Sequence, residues 1–132
     1  MVRVVVGIGC DRGTATETVT AAVSAALAEA GLCAADVVAL ASIDLKRDEP
    51  ALHALARVHG WPLVFYPATQ LAAIPVPHPS EVVRHHTGTP AVAEAAALCR
   101  AHADSADLII EKRRWRGEDG RNATVSIARL NE

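Results

Sequence analysis

The chain has 132 residues, 51% hydrophobic but only 3% aromatic, so its core must be built from Ala, Val, Leu and Ile. That length buries one sizeable core and is expected to form one domain over residues 1–132. The formal charge of −2 argues against a general nucleic-acid binder, and no apolar run approaches the ~20 residues of a membrane span.

The start, Met1-Val2-Arg3-Val4, has no signal-peptide anatomy, and a cytoplasmic location is expected. Cys10, Cys33 and Cys99 are odd in number and widely spaced, the pattern of cytosolic thiols and not of a disulfide framework or zinc site.

Residues 2–9 form a continuous apolar run, the pattern of a strand buried on both faces. It feeds Gly7-Ile-Gly-Cys-Asp-Arg-Gly-Thr14, a glycine-rich, thiol-bearing loop before a helix. Thr14 with Glu17 matches a capping box. Val19, Val23, Leu27 and Ala30 then make one apolar stripe, which Gly31 ends. Residues 37–42 read as a second strand. Asp48 can cap a helix that turns Leu52, Leu55, Ala56 and His59 inward and stops at Gly60.

Residues 63–66 read as a third strand. Prolines at 67, 75, 77 and 79 then predict a stiff, extended surface loop. Ser80 can cap a short helix through Val82 and Val83, and Thr89-Pro90 opens an Ala-rich helix. Residues 108–110 and 123–128 complete the strands, with a polar hairpin turn over 117–122. In the last strand Val125 and Ile127 alternate with Thr124 and Ser126, which predicts a half-exposed place near the sheet edge. The alternation of strands and helices predicts an α/β fold of three layers: a mostly parallel sheet of about five strands, helices on both faces, and a C-terminal hairpin.

Ligands of open α/β sheets sit beyond the carboxyl ends of the strands. If the first three strands are parallel, loops 10–14, 42–48 and 67–80 share one rim. Backbone N–H groups at a helix start suit an anion, so Gly9, Arg12, Gly13 and Thr14 are candidate binding residues. Cys10 reads either as a nucleophile whose thiolate is favoured by the helix start or as a small packed residue. Ser42, Asp44 and Lys46 are candidates on the second rim loop, with Asp44 the alternative reactive group. Thr87, Gly88 and Thr89 offer a second anion seat or a plain helix cap. Lys112, Arg113, Arg114, Arg116 and Arg121 surround Trp115 and read as a solvated hairpin or a partner surface.

The glycine spacing G-x-G-x-x-x-G is not the dinucleotide fingerprint, and no Lys follows as in a Walker loop, so no nucleotide cofactor is expected. The six histidines show no metal-ligand spacing, and no metal is expected.

Five motifs in order span nearly the whole chain: Gly7-Ile-Gly-Cys-Asp-Arg-Gly-Thr14, Ser42-Ile-Asp-Leu-Lys-Arg-Asp-Glu49, Pro79-Ser80-Glu-Val-Val83, Thr87-Gly-Thr-Pro-Ala-Val-Ala-Glu-Ala95 and Asn122-Ala-Thr-Val-Ser-Ile-Ala128. Together they resemble the cobalamin-biosynthesis family of CobE and the C-terminal domain of CbiG, the cobalt-precorrin-5A hydrolase. The resemblance implies a cytoplasmic role in building the corrin ring, on the aerobic branch for the short form. In the longer hydrolase the family reaction opens a ring-A δ-lactone and releases acetaldehyde. Here Asp11 follows the motif cysteine where a basic residue is usual, and Ala91 stands where a serine is expected.

Corrin precursors carry acetate and propionate groups on a flat macrocycle, which calls for N–H or cationic donors beside apolar surface. The residues expected to bind a precorrin or corrin are Gly9, Cys10, Arg12, Gly13, Thr14, Ser42, Asp44, Lys46, Ser80, Thr87, Gly88, Thr89 and Lys112, with Ile74 and Val76 against the ring. A carrier, an enzyme using Cys10 or Asp44, and a docking module for a precorrin methyltransferase all remain open.

Overall fold

The computed structural model describes residues 2–77 and 92–131 of the chain. Its centre is β1 (Val4–Cys10), where Val4, Val5, Val6 and Ile8 are all fully buried. A strand covered on both faces needs a helix layer on each side. On one side lie α1 (Thr16–Glu29) and α2 (Pro50–His59), packed on Val4, Val6 and Ile8. On the other lie α3 (Ala68–Ala72) and α4 (Val92–Ala101), whose Leu71, Ala96, Ala97 and Leu98 pack with Val5, Ala41 and Ile43.

The other strands are β2 (Val37–Ile43), β3 (Leu63–Tyr66), β4 (Leu108–Arg116) and β5 (Asn122–Arg129). They are ordered β3-β2-β1-β5-β4. The layers, the five strands and the hairpin are as the sequence leads one to expect. The sheet itself is mixed and not mostly parallel: β1–β2 and β2–β3 are parallel, whereas β1–β5 and β5–β4 are antiparallel.

The reason is the placement of β5, which lies inside the sheet between β1 and β4 and not near its edge. Its alternating hydroxyls misled because one of them is satisfied internally. Ser126 is fully buried and donates to Glu111 O at 2.6 Å. The edge is β4, and it runs on through the basic residues expected in a loop. Long charged side chains suit a half-exposed edge strand. The turn is confined to residues 117–121, where Gly117 N–H donates to Arg121 O at 2.9 Å, Gly120 N–H donates to Gly117 O at 3.0 Å and Gly120 takes φ 76°.

Three smaller expectations also change. Ala15, not Thr14, is the N-cap of α1. His59 is exposed and stacks on Trp61 at 4.2 Å, and Trp61 takes the buried place while its indole N–H donates to Ala34 O. Pro67 ends β3 and caps α3, which buries Leu71, so the proline-rich stretch is not extended throughout. The Ala-rich helix expected after Thr89-Pro90 is α4, whereas its expected start, the helix expected from Ser80 and the candidates Thr87 and Gly88 lie outside the described residues.

Small residues on both partners let α4 approach β1 closely. A Cβ at Gly7 would overlap Ala93 O and stand 2.8 Å from Ala97 N, whereas one at Gly9 would meet only Val92, at 3.6 Å. Gly7→Ala is therefore expected to cost about 3 kcal/mol through overpacking. Gly9→Ala should leave stability unchanged or raise it by up to about 1 kcal/mol. Denaturant midpoints of the two variants against the parent check this contrast.

Candidate functional site

The parallel run of β1, β2 and β3 places their carboxyl ends on one rim, and loop 10–14 touches loop 42–48 there. Arg12 donates to Leu45 O at 2.8 Å and to Asp48 Oδ1 at 3.0 Å. It also pairs with Glu49 Oε1 at 3.2 Å. Glu49 is only 1% exposed, and the Gly13 N–H donates to it at 3.1 Å. A buried carboxylate is tolerated only with such partners. At this loop the N–H of Gly13 and the guanidinium of Arg12 meet a carboxylate of the chain itself, Glu49.

A second carboxylate fills the start of α1. Asp119, from the β4–β5 turn, accepts from Ala15 N–H at 2.9 Å, from the Thr18 hydroxyl at 3.2 Å and from Arg121 N–H at 3.0 Å. Thr14 gives its hydroxyl to Asp11 O and does not cap the helix. Asp11, the departure noted after Cys10, accepts from Asn122 N–H at 2.8 Å and from its amide at 3.3 Å. Arg121 returns to the loop by donating to Arg12 O at 3.0 Å. Loop 10–14 is thus laced to α2, α1 and the hairpin.

The chemistry of Cys10 follows from this. Burial pushes its thiol up, against the opposing pull of the Lys46 ammonium and the Thr14 hydroxyl. The lowering expected from a helix start does not prevail over burial. Asp44 pairs with Arg47 at 2.8 Å. Ser42 is fully buried and staples β2 to β1 by donating to Ile8 O at 2.6 Å. Gly9 and Lys46 are half-buried at the rim. Ile74 and Val76 pack against the α4-side core. Ser80, Thr87, Gly88 and Thr89 lie outside the described residues.

The basic cluster divides between the two faces of β4. Arg113 pairs with Glu29 of α1 at 2.7 Å and lies 5.7 Å from the Trp115 ring centre. Trp115 is half-buried against the α1-side core and is not an exposed loop residue. Lys112 turns the other way and pairs with Glu94 of α4 at 3.5 Å, a carboxylate that is 1% exposed. Sequence reasoning missed Glu49, Glu94 and Asp119. Glu49 and Glu94 lie inside the recognised motifs, but nothing in the spacing says that they are buried. Among the described residues, no helix is long and apolar enough to cross a membrane.

The lacing makes the rim acid-sensitive. Hydrogen bonds from Ala15 and Arg121 N–H hold the Asp119 carboxyl below its ordinary value. The hydrogen bond from Arg12 does the same for Asp48. A carboxylate with a lowered folded-state pKa stabilises the fold above its unfolded value, near 4, and that stabilisation is lost as pH falls through the folded value. Thermal midpoints are expected to drop below about pH 4. Asp119→Ala should lower the midpoint at neutral pH and converge on the parent in acid. Equal midpoints at neutral pH would remove Asp119 as the cap.

Comparisons with known proteins agree with the sequence motifs. The family model described as cobalamin synthesis G C-terminus matches residues 4–128. A cobalt-precorrin-5A hydrolase of Priestia megaterium is 34% identical over 123 residues, 93% of this chain but only 31% of that relative's length. Protein CobE of Sinorhizobium sp is 41% identical over 110 residues, covering 82% of this chain and 71% of CobE. A crystal structure of CobE, a protein from the cobalamin biosynthetic pathway, superposes with a TM-score of 0.84 at 37% identity, covering 98% of this chain and 95% of that one. The cobalamin biosynthesis protein chiG of Agrobacterium tumefaciens str. C58 gives a TM-score of 0.65 at 31% identity, covering 98% and 99%. The chain belongs to the cobalamin synthesis G C-terminal family and is a cobalamin-biosynthesis protein.

Proposed function

We propose that the chain binds a precorrin or corrin intermediate at the carboxyl-end rim of its sheet and holds it or passes it on, in the cytoplasm and on the aerobic-type branch. The observation that carries this reading is a half-exposed glycine, Gly9, at the end of β1, with Val92 of α4 in ordinary contact beside it, on a rim shared by three parallel strands. A flat macrocycle can approach backbone closely only where no side chain intervenes. Its carboxylates then need cations or N–H donors nearby.

Of the residues expected to bind, Gly9 and Lys46 stand at the rim, and Arg12 stands there in ion pairs with Asp48 and Glu49. Cys10, Gly13, Thr14 and Asp44 line or support the loops, Ser42 acts from within the sheet, and Lys112 marks the β4 side. Ser80, Thr87, Gly88 and Thr89 join the proposal on sequence alone. Burial of Cys10, which pushes its thiol up, favours the binding reading over the enzymatic alternative, because a thiol is a poor nucleophile without a base. The half-buried Trp115 weighs against its use as the contact for a precorrin methyltransferase.

An absorbance titration with hydrogenobyrinic acid, followed over hours, tests the reading. The expected result is a spectral shift that saturates at a simple ratio, with no slow change afterwards and with binding retained in Cys10→Ala. A slow further change would point to an enzyme. No shift would overturn the binding proposal.

A further inference from the structure

Strand register sets side chains of three strands in one row on the α4 face at this rim. Gly9 of β1 pairs with Thr124 of β5, and Thr124 pairs with Arg114 of β4. Paired residues share a face, and Gly9 faces α4 through Val92. The same parity holds along β4, where Lys112 reaches Glu94 of α4 while Arg113 reaches Glu29 of α1. Arg114 is exposed, and its side chain enters no ion pair or hydrogen bond among the described residues. One pleat further toward the rim stands Arg116, also exposed and opposite Asn122.

Charge is segregated across the sheet at this end. Glu17, Glu118 and Asp119 gather with Ala15 and Thr18 on the α1 side, where Arg116 at the strand end also borders them, and Asp48 and Glu49 hold Arg12 in ion pairs. On the α4 side Glu94 is matched by Lys112, and among the described residues the side chain of Arg114 enters no ion pair there. With strands about 4.8 Å apart, Arg114 lies about 10 Å from Gly9, the reach of a substituent on a macrocycle laid over bare backbone.

We propose that Arg114, with the Thr124 hydroxyl beside it and Arg116 at the end of the row, binds the peripheral carboxylates of the ligand, and that Arg12 does not. The inference rests on the chain being a corrin-intermediate binder. Its ligand class is a flat ring bearing several carboxylates, gripped at one edge by guanidinium–carboxylate pairs.

The test compares the parent, the double variant Arg114→Gln/Arg116→Gln, and Arg12→Gln in hydrogenobyrinic acid titrations at two salt concentrations. All changes are at exposed side chains, and a denaturant midpoint checks that each variant folds. The double variant should bind about tenfold or more weakly and show less dependence on salt, while Arg12→Gln binds as the parent does. Parent-like affinity in the double variant, or a comparable loss in Arg12→Gln, overturns the assignment while leaving the binding function intact. If the parent itself does not bind, arginine Nε–H spectra recorded with mellitate separate the two failures. Shifts confined to Arg114 and Arg116 support a polycarboxylate site for another ring, and their absence overturns both proposals.

Discussion

The depth at which α4 sits on β1 governs this molecule. Gly7 leaves no room between the strand backbone and Ala93 and Ala97, so the α4-side layer is built from small residues on a bare strand. The opposite face of the same strand carries Val4, Val6 and Ile8 and meets larger helices through ordinary aliphatic packing. Over residues 6–9 the strand satisfies two unlike layers by alternating side chain with none, while Val5 fills the α4-side core below. Because α4 runs antiparallel to β1, the same alternation continues to Gly9 at the rim, where Val92 is the neighbour and contact relaxes to ordinary distance. The feature that permits tight packing below also leaves backbone bare above.

The rest of the rim is shaped by carboxylates that the chain supplies itself. A helix start and a glycine turn present N–H groups that must be satisfied. Here Glu49 and Asp119 do so, each from another segment. Arg12 adds the charge that makes burial of Glu49 tenable. This fastens the hairpin to α1 and the first rim loop to α2, which fixes the position of β5 beside β1. The α1 and α2 side of the rim is consequently a closed, charge-matched wall.

Much of the fold was legible because local patterns and tertiary demands agreed. The apolar run of β1, the Gly31 and Gly60 helix stops and the strand at residues 63–66 all appear where pattern places them, with both glycines at positive φ. What was not legible depends on distant partners. Asp119 caps a helix 104 residues away in sequence, so the local capping box lost to a better acceptor. His59 fitted an inward helical position, yet the larger apolar Trp61 claimed the core. β5 looked like an edge strand because no sequence pattern announces that the Ser126 hydroxyl will find Glu111 O inside the sheet.

The least legible feature bears most on function. Between Ile110 and Arg113 the β4–β5 register shifts by one residue. A one-residue shift exchanges the two faces of every residue beyond it. Without it, Lys112, Arg114 and Arg116 would share the α1 side with Ile110, while Arg113 and Trp115 would face α4. With it, Trp115 joins the α1-side core, Arg113 finds Glu29, and the remaining cations come to the face where β1 is bare. The run Lys-Arg-Arg-Trp-Arg is ambiguous in sequence because a solvated loop, a partner surface and an edge strand would all carry it. The bulge resolves that ambiguity by sending the aromatic inward and aligning the arginines with Gly9. β4 carries an earlier shift between Leu108 and Ile110 as well, and the two together set which face each cation of the strand takes.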